Sequence, residues 1–376
     1  MSPSRATSSR CLAVATVAIA VSTWLAGACG RPATPPPATI DAFTTLPDSA
    51  PARLAETGLY RDFAARTLAA DVLSFTPQYP LWTDGAAKQR WILLPPGSAI
   101  DGSDIDHWQF PIGTRLWKQF SFASTIETRY MQRRSDGSWL YATYLWTADG
   151  SDAVLAPERG VVGACEAADG KRHDVPGVVD CRLCHEGGRT PVLGFSALQL
   201  SSDRDALAPH ATPAGPGDVD LDDLAERGLV RNLPAATRLI PPHITARSPS
   251  ERAALGYLHG NCSSCHNGDG PLQRLGLRFD YPLATSGVAP AIATAVGQPS
   301  QFTRGVAQTR LVAGDPAHSV LPLRLRATDA MTQMPPFGRH LADTTAIALI
   351  EQWIRTDLTR PAAGDAGLEL TKREEQ

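Results

Sequence analysis

Several features that would place this chain in a familiar class are scarce or missing. Its 376 residues carry 35 basic and 38 acidic side chains, so it has no basic excess of the kind that binds nucleic acid. The longest N-terminal apolar run, from residue 11 to residue 25, is too short to span a membrane as a helix. Methionine occurs only four times, and never between residues 186 and 330. The length allows about two domains.

The apolar run at the N-terminus has the pattern of a secretory signal. Arg5 and Arg10 precede it, and small residues end it at positions 26–28. We therefore predict a signal peptide over residues 1–28 and a mature protein in the periplasm or cell envelope. Residues 25–29 also resemble a bacterial lipobox, in which Cys29 would be lipidated and would anchor the protein to a membrane. The same small residues would equally suit ordinary cleavage.

Cysteine is used sparingly, and four of the seven copies form two C-x-x-C-H patterns at residues 181–185 and 262–266. Two thiols one helical turn apart can add to the two vinyl groups of one porphyrin, and the histidine that follows can ligate its iron. Structural zinc sites also use paired cysteines, but they give no reason for a histidine after each pair. We therefore predict two covalent haem c groups, with thioether bonds and proximal ligands supplied by Cys181, Cys184, His185, Cys262, Cys265 and His266.

The other three cysteines lie outside these two patterns. Cys11 is removed with the signal peptide, and Cys29 is the candidate for lipidation. Cys165 could form a disulfide with Cys29 in an oxidising compartment if Cys29 carries no lipid. Otherwise Cys165 is expected to be a buried thiol.

The composition changes along the chain and indicates an α+β protein in several parts. After the signal we predict a Pro-rich linker (29–52), a β-rich, sandwich-like domain (53–180), a first haem attachment site with a loop-rich connector (181–247), a mainly α domain (248–360) and a disordered tail (361–376). Within the β-rich part, residues 54–75 are expected to be partly helical. Residues 127–133 and 139–146, joined by a turn containing Asp136 and Gly137, are expected to form a hairpin.

Six of the eight tryptophans lie between residues 82 and 146. They could form a platform that binds a sugar. A simpler interpretation is that they form the core of the β-rich domain and a surface that packs against haem.

Residues 248–357 resemble a class I cytochrome c domain, with all its parts in order. Ser248-Pro249-Ser250-Glu251 is a capping box that begins a helix running into Cys262, and a second amphipathic helix closes the domain at 342–356. Between them, Gln333-Met334-Pro335-Pro336 stands where this family supplies its methionine ligand. The resemblance implies that Met334 is the distal ligand of the second haem and that a backbone carbonyl near Pro271 accepts a hydrogen bond from His266. Met334 could instead fill a gap in the core, and Met331 is the alternative ligand.

The first motif lacks these surroundings. The residues before Cys181 do not form the pattern of a preceding helix, so the first haem is expected to hang from the edge of the β-rich domain. Since no methionine follows before residue 331, a Met-ligated cytochrome domain is excluded at this point. The sixth ligand could be absent, which would leave the iron open to chemistry. The other candidates are Met131, His173, His210, His243 and His259, the last of which could also link the two haem sites in space.

The whole chain resembles a family of exported bacterial two-haem c-type cytochromes, many of them lipoproteins. The resemblance spans about residues 75–357 and includes both haem motifs together with the segments 81–90, 94–97, 110–114, 127–129, 257–262 and 312–316. It implies haem binding and electron transfer between redox partner proteins, and it supplies no substrate. A haem redox enzyme, peroxidase-like or linked to a dehydrogenase, and a binding module for a saccharide or protein are the alternatives. No recognisable catalytic acid or base accompanies the first motif, which favours electron transfer.

Overall fold

The computed structural model describes residues 49–167, 170–302, 304–305 and 307–360. The predicted signal peptide, the lipidation site at Cys29, most of the linker 29–52 and the tail 361–376 lie outside these residues. Within the described part, no helix is long and apolar enough to cross a membrane. The described chain contains both strands and helices, with a β-rich N-terminal part and helices mainly after it, which confirms the α+β class at that level.

The strands form one six-stranded antiparallel sheet and three small two-stranded sheets. The large sheet has the order β3-β4-β6-β7-β8-β9, and the small ones pair β1 with β2, β10 with β11, and β5 with β12. The described residues therefore do not form two comparable sheets packed as a sandwich. The strand bounds are β1 Tyr60–Asp62, β2 Thr67–Leu68, β3 Leu73–Ser74, β4 Ala87–Leu93, β5 Ile100–Asp101, β6 Arg115–Ser121, β7 Thr125–Arg133, β8 Trp139–Trp146, β9 Ala153–Leu155, β10 Val161–Glu166, β11 Arg172–Val175 and β12 Val230–Arg231.

Local sequence signals determine some of these elements and not others. The hairpin prediction is confirmed, because β7 pairs antiparallel with β8 and Gly137 takes a positive φ of 82° in the turn. The prediction that residues 54–75 are partly helical is confirmed only at Leu54–Thr57. That stretch forms a 3-10 turn at Leu54–Thr57 followed by three short strands, since its apolar residues enter two separate clusters against the sheet.

The α-helices of the described chain lie after strand β11 in the sequence, and only the short strand β12 lies among them. Their bounds are α1 Val178–His185, α2 Leu221–Glu226, α3 Ala236–Leu239, α4 Pro249–Cys262, α5 Pro290–Ala295, α6 Val320–Arg326 and α7 Thr344–Thr356. The Ser248 hydroxyl accepts a hydrogen bond from the Glu251 N–H (3.0 Å), which caps α4 as predicted. Helices α4 and α7 pack together around the fully buried Trp353, whose indole donates to the Glu251 carboxylate (3.1 Å).

The β-rich part and the C-terminal helices share a core. Tyr79, which precedes β4 of the large sheet, is buried in the cluster formed by α4, α7 and their neighbours. A Cβ at Gly256 in α4 would lie 2.0 Å from the Tyr79 ring, so the helix can approach this closely only with glycine. Asn261, at the end of the same helix, accepts a hydrogen bond from the Trp82 N–H (2.8 Å). The two parts are therefore joined directly beside the second motif.

Candidate functional site

The first motif occupies the helix α1, which the sequence pattern did not predict. The carbonyl of Glu158 accepts a hydrogen bond from Val178 N–H (2.8 Å), and the Asp180 carboxylate accepts one from Gly177 N–H (2.9 Å). These bonds start the helix just before Cys181. Cys181 and Val178 pack against the apolar cluster on one face of the large sheet. The motif therefore lies on the face of the sheet, and the expectation that it hangs from an edge is wrong.

His185 is oriented by its own loop. Its Nδ1 donates a hydrogen bond to the carbonyl of Pro191 (2.6 Å), which leaves Nε2 available to a metal. Burial lowers the pKa of His185 to about 4; the bond to Pro191 opposes this shift, and the charges of Lys118 and Arg129 add to it. The imidazole is therefore neutral near pH 7, the form that ligates iron. The ring of Tyr141 lies beside it, with centroids 5.4 Å apart.

The second motif forms the last turn of α4 and the turn after it. The His266 N–H donates to the Cys262 carbonyl (2.9 Å), which continues the helical spacing that brings both thiols to one side. The Nδ1 atom of His266 is buried without a hydrogen bond of good geometry. The backbone at Leu277 lies near enough to favour its protonated form, but burial and the charges of Arg324 and Arg310 lower the pKa of His266 overall. The expected hydrogen bond to a carbonyl near Pro271 is thus not formed in the described part of the chain.

The two motifs are in contact, although they are far apart in the sequence. The Sγ atom of Cys265 lies 3.9 Å from the carbonyl oxygen of Leu183, and the Asn267 amide donates to the carbonyl of Gly187 (2.9 Å). A Cβ at Gly187 would lie only 2.1 Å from the Ser264 carbonyl oxygen. The thiols also interact, because Cys265 adds to the burial that raises the pKa of Cys184 to about 11. The attachment points of two porphyrins would thus lie side by side.

Met334 lies in a loop that is fastened by backbone hydrogen bonds. Its N–H donates to the carbonyl of Arg324 (3.0 Å), and its own carbonyl accepts from the buried guanidinium of Arg339 (3.0 Å). Arg324 is also one of the charges that lower the pKa of His266, so this loop and the second motif share a neighbour. Met334 is half-buried, whereas the alternative Met331 is 65% exposed. These positions favour Met334 over Met331 as a ligand.

The histidines proposed for the first haem are held elsewhere. His173 bonds the buried Glu127 (3.1 Å), His210 bonds Asp343 (2.8 Å), and His259 accepts from the Tyr281 N–H (3.2 Å). His243 donates to the Pro241 carbonyl (3.0 Å). None of these bonds is to the first motif. Of the candidates, only Met131 belongs to the apolar cluster that Cys181 touches.

Other predicted residues take structural positions. Trp91, Trp108 and Trp117 are buried in the core, which favours packing over a sugar platform for these three. Cys165 is fully buried in β10, and its proposed partner Cys29 lies outside the described residues. A groove of about 710 Å³ is lined in part by Tyr60, Trp146 and Asp149 and does not include either motif.

The charged side chains near the first motif were not predicted from the sequence. Lys118 and Arg129 both act on Cys184 and His185, and both face the same side of the sheet as Tyr141. Lys118 follows Trp117 and Arg129 precedes Tyr130, and both aromatic residues are buried on the other face of the sheet. This period-two alternation places Lys118 and Arg129 on the face that carries the motif.

A scan of family models and searches of curated proteins and of solved structures each found no match. Among the described residues, no group of three or more His, Cys, Asp or Glu side chains is arranged to hold a metal ion. The residues of both motifs fit covalent haem, because each supplies two cysteines outside any disulfide and a histidine whose pKa is lowered by burial.

Proposed function

We propose that the protein is an exported di-haem c-type cytochrome that passes electrons between redox partner proteins of the periplasm or cell envelope. The observation that carries this proposal is the direct contact of the two C-x-x-C-H motifs through Leu183, Gly187, Cys265 and Asn267. A protein that holds two haems for separate purposes has no need to bring their attachment points together. Two haems in contact form one continuous path for an electron.

Haem c, when attached, supplies one-electron chemistry at its iron. The residues of the chain then have three tasks. The four cysteines would hold the porphyrins covalently, and His185 and His266 would ligate the irons. The hydrogen bond of His185 to Pro191 fixes the plane of its ring and the nitrogen that faces the iron.

The C-terminal helices support a class I cytochrome c arrangement as part of this proposal. Helix α4 leads into the second motif, α7 packs across it, and the loop of Met334 lies between them in sequence. A thioether ligand on iron favours the ferrous form more than a second imidazole does, so the second haem is expected to have the higher potential.

Haem stoichiometry and electron exchange test the proposal. The mature protein should carry two haems by mass after denaturation, and the double variants Cys181→Ala/Cys184→Ala and Cys262→Ala/Cys265→Ala should each carry one. In rapid mixing with a one-electron donor, the two haems of the wild type should stay in redox equilibrium with each other throughout the reduction, so that the second haem is reduced first. A chain without covalent haem, or two haems that are reduced and reoxidised independently, would contradict it.

The predicted attachment to a membrane is tested separately. If Cys29 is lipidated, the mature protein begins at this residue with a mass increased by acyl chains, and Cys29→Ala releases it from the membrane fraction. If cleavage is ordinary, the wild type is recovered without lipid.

A redox enzyme at the first haem is the second candidate, and one observation favours it. None of the four histidines considered as sixth ligands is bonded to the first motif in the described chain, and His173 and His210 use their Nε2 atoms on carboxylates. A first iron with an open position could bind peroxide or another small ligand. A high-spin ferric signal that disappears in Cys181→Ala/Cys184→Ala, together with peroxide turnover, would support this function. Two low-spin haems without turnover would support electron transfer alone.

A further inference from the structure

A row of cations crosses the large sheet on the face that carries the first motif. Arg90, Lys118 and Arg129 are direct cross-strand neighbours on β4, β6 and β7, and Lys88 lies on the same face of β4, opposite Phe120. Side chains paired in this way project from the same face. The sequence therefore places four positive charges side by side on the largest sheet of the molecule.

Three of these cations surround one aromatic ring. The Nζ atoms of Lys118 and Lys88 lie 5.0 Å and 5.7 Å from the centroid of the Phe120 ring, and the guanidinium carbon of Arg129 lies 4.1 Å from it. Phe120 is fully buried. The aromatic face stabilises each cation, but like charges gathered around one ring repel each other.

The carboxylates nearby neutralise Arg129 through Glu127, but among the described residues they form no ion pair with Lys88 or Lys118. Glu127 is fully buried, but its Oε1 binds both Arg129 (2.6 Å) and His173 (3.1 Å). The charges of Asp84 and Asp343, which lie outside the sheet, favour the protonated form of Lys88. Asp84 already accepts the backbone N–H groups of residues 340 and 341, and Asp343 accepts that of residue 346. Burial and the neighbouring cations accordingly lower the pKa of Lys88 to about 7 and that of Lys118 well below its usual range.

The row also faces the first motif. Lys118 and Arg129 project from the same face as Tyr141, and the ring of Tyr141 lies beside that of His185, with centroids 5.4 Å apart. The side-chain nitrogen of Lys118 forms no hydrogen bond or ion pair with the described residues, so it is available to a ligand. An anion placed between the sheet and α1 would relieve the repulsion and gain charge-assisted hydrogen bonds.

We propose that Lys88, Lys118 and Arg129 form a carboxylate-binding cluster on the face of the sheet that carries the first motif. The carboxylate is either a propionate of the haem attached at Cys181 and Cys184 or a small dicarboxylate from solution. If the ligand is a propionate, the inference rests on the proposed function. If the ligand comes from solution, the inference does not depend on the proposed function.

The test uses the mature full-length protein and the variants Lys118→Gln and Lys88→Gln. Lys171→Gln, which removes the same charge from an exposed position, is the matched control. Lys118→Arg keeps the charge and should restore the wild-type result. Haem per chain is measured first, and thermal unfolding shows whether each variant is folded. The readouts are the resonance Raman band of the haem propionates and a titration with succinate, followed by the haem spectrum and by calorimetry.

If a propionate is the ligand, the propionate band shifts in Lys118→Gln and Lys88→Gln but not in Lys171→Gln, and succinate has no effect on the wild type. If the ligand comes from solution, succinate binds the wild type saturably and binds Lys118→Gln about tenfold more weakly, the size expected for one lost charge-assisted contact. No band shift together with no succinate binding overturns the cluster. A chain without haem would overturn the proposed function, while calorimetry with succinate would still decide whether the cluster binds an anion.

Discussion

At the scale of single residues, two adjacent glycines differ in the space around them. Gly187 lies at the contact between the two motifs, whereas Gly188 has more room. A Cβ at Gly187 would meet the backbone oxygen of Ser264 at 2.1 Å, which neither segment can avoid without moving. A Cβ at Gly188 would meet only the side-chain nitrogen of Asn267, at 3.3 Å. Neither glycine has a positive φ, so the difference between them is steric.

Gly187→Ala is therefore expected to lower the free energy of unfolding by about 1–3 kcal/mol, the usual result of overpacking. It should also slow electron exchange between the haems, because the motifs must separate. Gly188→Ala should have clearly smaller effects on both. Denaturant unfolding and rapid-mixing reduction of the two holoprotein variants measure the difference. Equal effects of the two substitutions would show that the contact at Gly187 is not what holds the motifs together.

The two methionines near residue 334 provide a second matched pair. Met334→Ala should remove the thioether ligand, change the spectrum of the second haem and lower its midpoint potential. Met331→Ala should leave both unchanged, because Met331 is 65% exposed and lies outside the hydrogen bonds that hold the loop at Met334. Redox titration followed by absorption measures both variants. An unchanged Met334→Ala protein would remove Met334 from the iron.

At the scale of elements, local chemistry decides what the sequence can predict. The start of α4 was predictable because Ser248 caps it, although the Glu251 carboxylate binds the N–H of Arg247 and not that of the cap residue. The stripe on α7 was predictable from helical spacing. Helix α1 was not, since none of its eight residues is fully buried and it depends on contacts with β8.

Glu251 links α4 to α7 and gives the packing of these helices a pH dependence. Burial would raise the pKa of Glu251, but hydrogen bonds from Arg247 and from the Trp353 indole outweigh burial and lower it below its usual value. A carboxyl group whose pKa is lowered by folding stabilises the protein above the unfolded pKa. That contribution is lost as the pH falls through the folded pKa.

We expect Glu251→Gln to lower the free energy of unfolding by about 1–3 kcal/mol at neutral pH and by much less at about pH 3. The exposed Glu226 provides the control, and Glu226→Gln should change stability little at either pH. Urea unfolding at the two pH values gives the comparison. A loss of stability in Glu251→Gln that is the same at both would mean that the carboxylate charge is not involved.

At the scale of the whole molecule, the contact between the motifs could not be read from the sequence. Each motif is recognisable by itself from five residues, and His185 and His266 follow from the pattern. Their closeness depends on α1 lying on the face of the sheet and on α4 docking against Tyr79. Gly256 and Gly260 weaken α4 as a helix, and only the ring and backbone of Tyr79 beside them account for glycine at these positions.

Tyr79 lies in the β-rich part of the sequence, but we therefore expect it to stabilise the C-terminal helices. It is buried in the core of the C-terminal helices, and its hydroxyl donates to Asp205 (3.2 Å). Tyr79→Ala removes a large ring from a closely packed core and is expected to lower the free energy of unfolding by about 3–5 kcal/mol. Tyr79→Phe, which loses only the hydroxyl, should lose about 1 kcal/mol.

The part of the protein that loses stability in Tyr79→Ala distinguishes a shared core from two independent domains. Unfolding of the holoprotein is followed at the second haem, by its absorption spectrum, and by tryptophan fluorescence, which reports mainly the β-rich part because Trp353 is the only described tryptophan in the C-terminal helices. In Tyr79→Ala both transitions should move together to lower denaturant, because Tyr79 joins the two parts. Tyr60→Ala, which alters the opposite face of the sheet, is the control for a change that begins in the β-rich part. Tyr79→Ala could instead shift only the fluorescence transition and leave the second haem unaffected. The C-terminal helices would then fold without the β-rich part. In that case only the loops at Gly187 and Ser264 would hold the motifs in contact.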